Sequence, residues 1–293
     1  MARSLFAFAV AASLFGTTAA ALAADENSHE SPVPPRQSWS FSGPFGHFDK
    51  GQLQRGFKVY KEVCSVCHGL KYVAFRNLED LGYSEAQVKS IASQYKIQDG
   101  PNDQGEMFER NGRPADYFPT PWPNENAARA RYNGVPPDMS VLAKARSYER
   151  GFPWFILDMF TQFQEQGVDY IHALMMGYHE KPPAGFTLPP GSFYNDYFPG
   201  HALAMPPPLT DKRVDYTDGS PTTVDQYAKD VAAFLMWAAE PHLEARKRIG
   251  FQVMIFLVVL SVLLYFTKKK VWADVKAHPE KLQDKATKSP RLS

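Results

Sequence analysis

"EVCSVCHGL", residues 62–70, holds both cysteines of the 293-residue chain, three positions apart, with a histidine directly after the second. Two lone thiols can close a disulfide, ligate a metal, exchange electrons as thiols or carry a group covalently. The compartment removes some of these options, and the two ends of the chain bear on it.

The chain begins MARSLFAFAVAASLFGTTAAALAA. A positive Arg3, an apolar core over residues 5–14 and the small-x-small series Ala21-Leu22-Ala23 follow the order of an export signal. The stretch turns polar at Asp25, and cleavage is expected after Ala23 or Ala24. A second apolar run, residues 249–266, contains no charge. At roughly 1.5 Å per residue it covers about 27 Å as a helix, close to the hydrocarbon thickness of a bilayer. Arg246, Lys247 and Arg248 precede it, Lys268, Lys269 and Lys270 follow it, and Tyr265 and Trp272 sit near its exit as interfacial aromatics. One span is expected. The tail from residue 268 onward carries a net charge of +5, which favours the cytoplasmic side. The expected organisation is a signal over 1–24, a periplasmic domain over 25–245, an anchor over 246–267 and a cytoplasmic tail over 268–293. The membrane would be the inner membrane of a bacterium.

Charge divides along the same lines. Residues 25–245 carry a net charge of −8 inside a chain whose overall charge is +1. Nucleic acid requires a basic face and is excluded as a partner. A basic soluble protein would be steered toward an acidic domain.

A thiol oxidoreductase would place Cys-x-x-Cys in a βαβ setting, and the sequence shows none. A zinc site usually needs a second pair of ligands at finger spacing, and none follows. Cys-x-x-Cys-His is also the attachment motif of c-type haem, and this reading uses the histidine as well. In a tight helical turn, Cys64 and Cys67 reach one porphyrin from the same side, and His68 projects its imidazole toward the iron. The expected cofactor is one covalently bound haem c. An open sixth position favours gas or peroxide chemistry, whereas a methionine closes the site for electron transfer. Met159, Met175, Met176 and Met236 fall in helix-like patterns and read as packing. Met139 in "GVPPDMS" remains a competitor. Met205 in "HALAMPPPL" lies on a loop stiffened by three prolines, with His201 as a nitrogen alternative.

Around the motif, residues 52–62 read as a helix, with Leu53, Gly56, Phe57 and Tyr60 at helical spacing. Residues 224–240 form a second, with Tyr227, Val231, Phe234, Leu235 and Ala238 on one face. Gly56 would let the aromatic residues of the second helix approach the first. Helical patches are also expected around 84–95, 140–146 and 168–177, with Pro/Gly-rich loops at 112–124 and 181–210. The fold class is mostly α, a class I cytochrome c-like domain plus one transmembrane helix.

The separation of His68 from Met205 is too long for a minimal class I cytochrome. The chain resembles the cytochrome c1 family, the haem subunit of the cytochrome bc1 complex. The resemblance rests on "WSFSGPFGHFDKGQLQRGFKVYKEVCSVCHGLKYVAFRNL", "YFPTPWPNENAARARYNGVPPDMSVLAKAR", "YIHALMMGY", "GHALAMPPPL" and "DVAAFLMWAAEPHLEARKRIG". It implies Met205 as the sixth ligand opposite His68, and Arg129 in "AARARYNG" near the haem propionates, with Arg131 two residues away. It also implies a cytochrome b subunit, a Rieske iron–sulfur subunit as electron donor and a soluble c-type cytochrome as acceptor. The subunit would break no substrate bond itself. Asp99, Asp103, Glu106 and Glu109 are the candidate docking patch. An anchored c-type cytochrome of another reductase or oxidase, or a haem sensor or scaffold, is the alternative.

Overall fold

The structure, a computed structural model, describes residues 32–146, 148, 152–161 and 165–277. The expected export signal and the end of the basic tail lie outside the described residues.

Helix α1, Lys50–Glu62, starts where the Asp49 carboxylate accepts from the backbone N–H groups of Gly51 and Gln52. It turns its buried face, Leu53, Gly56, Phe57, Val59 and Tyr60, inward. A 3₁₀ turn over Cys64–Val66 follows. A second 3₁₀ segment, Phe75–Leu81, stops at Gly82, whose φ of 94° suits a residue without a Cβ. Helix α2, Glu85–Ser93, opens with a reciprocal Ser84–Gln87 cap. Strands β1, Lys96–Asp99, and β2, Phe108–Asn111, form an antiparallel hairpin. Helices α3 (Glu125–Tyr132), α4 (Leu142–Ala145), α5 (Trp154–Thr161) and α6 (Gln166–Met176) come next. The short antiparallel pair β3 (Phe193–Tyr194) and β4 (Ala202–Leu203) sits inside the expected 181–210 loop. Helix α7, Val224–Ala239, then leads into α8, Leu243–Val271, and a last turn, α9, Ala273–Ala277.

The frame is the crossing of α1 and α7, elements from opposite ends of the domain. A Cβ on Gly56 would lie 2.1 Å from the Asp230 carbonyl oxygen and 2.6 Å from Phe234 Cβ. The missing side chain therefore sets the approach of the two helices. Phe234 packs against Phe57 and Tyr60, each with ring centroids 5.7 Å apart. Phe118 extends this aromatic cluster to Phe75 at 4.3 Å. Beside the crossing, the fully buried Asp230 carboxylate accepts from Arg55 Nε at 2.9 Å and Nη2 at 3.3 Å. Gln226 adds a third bond at 2.9 Å. A buried charge needs such partners, since an unpaired carboxylate there would cost several kcal/mol.

Helix α6 packs on α7 and α4. A Cβ at Gly167 would fall 1.8 Å from the Ala143 carbonyl oxygen, so the α4–α6 contact also depends on a glycine. The α6 residue Asp169 is buried and accepts from Trp39 Nε1 at 2.8 Å and from the Gln37 backbone at 3.0 Å. These bonds tie the segment before α1 to the rest of the domain.

Helix α8 is long and apolar enough to cross a membrane, and among the described residues its apolar stretch is exposed. It begins three residues before the expected anchor boundary at 246, and the reason is local packing. Leu243 is buried in the core, Glu244 accepts from the Phe48 backbone N–H at 2.8 Å, and Lys247 donates to the Phe41 carbonyl. The first turns of α8 thus belong to the domain. Helix α3 was not among the expected helices, although Asn124 caps it and its charges run from Glu125 to Arg131 in the order a helix dipole favours.

Candidate haem site

A cavity of about 940 Å³ lies among the 3₁₀ turn after α1, the segment after α3, helix α6, the loop after β4 and helix α7. Small-molecule sites reach about 1,000 Å³. Backbone bonds from Cys67 and His68 to the Cys64 carbonyl, 3.1 and 2.9 Å, wind the motif tightly enough to put all three side chains on the cavity wall. Trp122 Nε1 holds the Cys67 carbonyl at 3.1 Å.

His68 is fixed at both ends. Its Nδ1 meets the Pro137 carbonyl at 2.8 Å, and its own carbonyl accepts from Tyr60 at 3.2 Å. A carbonyl can only accept, so Nδ1 carries the proton and Nε2 is the nitrogen with a lone pair. Burial depresses the imidazole pKa, against the raising influence of the Pro137 bond and Asp138, which favours the neutral ring a metal requires. Cys64 and Cys67 are half-buried and are not joined to each other. Burial, with Cys67 nearby, pushes the Cys64 thiol up to about 12. Such a group is a poor thiolate and a poor redox nucleophile. Among the described residues, no three His, Cys, Asp or Glu side chains group to hold a metal ion.

Met205 enters the same cavity from the loop after β4, flanked by Pro206. Its carbonyl accepts from Tyr178 Oη at 3.1 Å. Burial raises the Tyr178 phenol, so it stays a neutral donor. The loop is held to α6 by Asn195, fully buried, whose amide donates to the Leu174 carbonyl at 2.8 Å. His201, the nitrogen alternative, is not on the cavity wall. Its Nδ1 bonds the Asn195 carbonyl at 3.1 Å and its ring stacks on Tyr194. Met139 does line the cavity, but its segment is committed to the His68 side: Met139 N–H donates to the Gly69 carbonyl at 2.9 Å, two residues after Pro137.

The other methionines separate. Met236 is core, as its pattern implied, whereas Met175 lines the cavity and Met176 is largely exposed. The Met159 side chain lies outside the described residues. Arg129 and Arg131 both reach the cavity wall from α3. Arg129 is largely exposed and meets Glu125 at 3.5 Å, while Arg131 lies over the Tyr132 ring. Arg146 and Arg213 line the cavity as well. Sequence reading missed both, and it missed Tyr178 and Pro137. Tyr178 and Arg146 close two of the stretches that carry the family resemblance, which was the available signal.

Two thiols on one turn, a neutral imidazole, a thioether, arginines and an otherwise largely apolar wall fit a covalently attached haem. Helical frame and cavity define the class: a c-type cytochrome domain joined to one long apolar helix. The Cytochrome C1 family model matches residues 39–275, and the chain belongs to that family. It is 66% identical over 245 residues to the cytochrome b/c1 of Bradyrhizobium diazoefficiens, an alignment covering 82% of this chain and 36% of that longer protein. It is 50% identical over 268 residues to the cytochrome c1 of Blastochloris viridis, covering 90% and 94% of the two chains. Similarity extends to the mitochondrial cytochrome c1 haem protein of Saccharomyces cerevisiae, 42% over 260 residues, 88% of this chain and 77% of that one. Family membership makes this a haem protein of electron transport.

Proposed function

We propose that the chain is the haem-bearing electron-transfer subunit of a cytochrome bc1 complex, accepting electrons from a Rieske iron–sulfur subunit and passing them to a soluble c-type cytochrome. Cys64 and Cys67 would hold the haem as thioethers, His68 and Met205 would ligate its iron, and Arg129 would pair with a propionate. A cytochrome b subunit is its membrane neighbour, in keeping with the name of the Bradyrhizobium relative. Residues 1–24 direct export, α8 anchors the chain in the bilayer, the haem domain faces the periplasm and the tail stays cytoplasmic.

When bound, the haem supplies a one-electron iron couple. The protein's part is to hold that couple still. The Pro137 bond orients the His68 ring, and the Tyr178 bond together with the proline run holds the Met205 backbone in place. A thioether in the sixth position raises the potential and excludes gas ligands. The observation that carries the reading is the convergence of Cys64, Cys67, His68 and Met205 on one cavity. An alkaline-pyridine spectrum of the purified protein should show a haem with both vinyl groups saturated, and the reduced protein should refuse carbon monoxide. Ready carbon monoxide binding would point instead to a sensor. Co-purification without a dihaem b-type subunit and an iron–sulfur protein would point to another reductase or oxidase.

A further inference from the structure

Helix α1 runs almost without a break into the 3₁₀ turn of the haem motif, so the motif is the C-terminal end of one helical run. The last carbonyls of such a run have no partner inside it and need donors from elsewhere. The Cys64 carbonyl is met by the N–H groups of Cys67 and His68. Farther along, side chains take over. The Val66 carbonyl accepts from Tyr132 Oη at 3.3 Å, that of Cys67 from Trp122 Nε1 at 3.1 Å and that of His68 from Tyr60 Oη at 3.2 Å. Three consecutive carbonyls rest on three aromatic donors.

Tyr60 belongs to α1 and its buried face. The other two donors belong to one unit. Trp122 stands two residues before Asn124, the cap of α3, and Tyr132 is the last residue of α3. Thr120 Oγ1 donates to the Trp122 carbonyl at 3.1 Å. A Cβ on Gly69 would lie 3.3 Å from Thr120 Cγ2, so this lead-in presses on the residue after His68. Trp122 is not on the cavity wall and bears on the motif from outside it. An indole nitrogen can only donate. Burial raises the Tyr60 and Tyr132 phenols, with Cys67 adding to the effect at Tyr132, so both stay protonated donors. Tyr and Trp have only two side-chain torsions and hold a donor in place at little entropic cost. The Pro137 bond fixes the rotation of the His68 ring, and the aromatic donors fix the backbone from which that ring projects.

We infer that α3 and its lead-in brace the haem motif, with Trp122 and Tyr132 as positioning residues that act on His68 through the carbonyls of Cys67 and Val66. The inference deepens the haem reading proposed above and rests on it. Without the brace the turn can tilt, and water reaches the carbonyls it leaves behind. A wetter site favours the more highly charged ferric iron and lowers the potential.

The test uses the full-length protein with Trp122→Phe, Tyr132→Phe and the double variant, which keep a ring and delete only a donor. An alkaline-pyridine spectrum of wild type comes before them. If it lacks a double-thioether haem, the haem reading falls and the brace with it; if it is normal, the variants judge the brace alone. Each single variant should keep covalent haem at the wild-type ratio and a nearly unchanged thermal midpoint. Its potential should fall by up to a tenfold change in equilibrium constant, about 59 mV for one electron. The double variant should fall further, and the ferric electron paramagnetic resonance signal should shift and broaden as His68 gains freedom. Reduced variants should still refuse carbon monoxide, because Met205 is untouched. Potentials and ferric spectra identical to wild type in all three would overturn the proposal, whatever the thermal midpoint does. Carbon monoxide binding by the variants would also overturn it, by tracing the shift to Met205. If Trp122→Phe fails to load haem, Tyr132→Phe, whose bond lies at the surface, decides by the same readouts.

Discussion

Met205 and Met139 both reach the cavity, and their substitutions test the proposal that Met205 is the ligand. Leucine nearly conserves methionine's volume, so either change should cost packing less than about 1.5 kcal/mol. Met205→Leu should keep covalent haem with an unchanged pyridine spectrum, lower the potential and admit carbon monoxide. Each fall of about 59 mV in this one-electron couple is a tenfold change in equilibrium constant, so reduction by the iron–sulfur donor should fail while assembly persists. Met139→Leu should leave potential and ligand binding nearly untouched, and the reverse pattern would assign the sixth position to Met139. Tyr178→Phe, which frees the Met205 carbonyl, should lie between them. Asp169 carries a different prediction. Burial pushes its carboxyl up to about 6, reinforced by Glu165 and opposed by Trp39, Gln37 and Arg36. The folded state therefore holds this proton more tightly than the unfolded chain, whose carboxyl titrates near 3.9. The contribution is present below about pH 4 and is lost as pH rises through 6, a change on the order of 3 kcal/mol. Denaturation of Asp169→Asn against wild type at pH 4 to 7 should show that slope removed. A difference between the two proteins that stays constant across the range would refute the assignment.

At the scale of elements, the α1–α7 crossing is held apart by nothing larger than a hydrogen. Gly56→Ala places a methyl group against a helix carbonyl that has no rotamer to give, so roughly 3 kcal/mol or more should be lost. The readout is a lower thermal midpoint and a smaller yield of haem-loaded protein, and a variant of wild-type stability would mean the helices are not set by this contact. Both helices and Gly56's role were legible, because helical periodicity is a local signal and a small residue on a buried face is readable beside it. Helix α3 escaped notice because its face is polar and only Ala128 is buried. Its signature lay in its cap and charge order instead. The haem motif was legible for the same local reason as α1. The bonds that hold His68 and Met205 were not: Pro137 meets His68 and Tyr178 meets Met205 across long stretches of chain, and no periodicity encodes such pairs. The docking of α8's first turns was hidden in the same way, since charge and hydropathy mark a bilayer boundary and say nothing of which turns touch the domain.

For the molecule as a whole, the net charge of −8 over residues 25–245 predicts that electron transfer to a basic soluble cytochrome slows as salt rises, with screening lengths of about 8 Å near physiological ionic strength. The structure refines where to look. Asp103, Glu106 and Glu109 are exposed on the β1–β2 hairpin, whereas Asp99 is bound to Arg110, which also pairs with Asp116 at 2.6 Å. Neutralising the three exposed acids should reduce the salt dependence of the second-order rate, while Asp99→Asn should loosen the hairpin without doing so. A rate flat across salt in wild type would remove the steering argument. The α1–α7 crossing also imposes an order in time. On the export proposed here, a chain threaded as it is made releases Cys64 and Cys67 well before α7 emerges. At about 5–20 residues per second the gap lasts roughly 10–30 s. During that interval the thiols stand on an open helix end, and only afterwards does the far wall of the cavity arrive. Attachment thus has a window set by chain length, and the helix that completes the fold is also the one that closes the door on it.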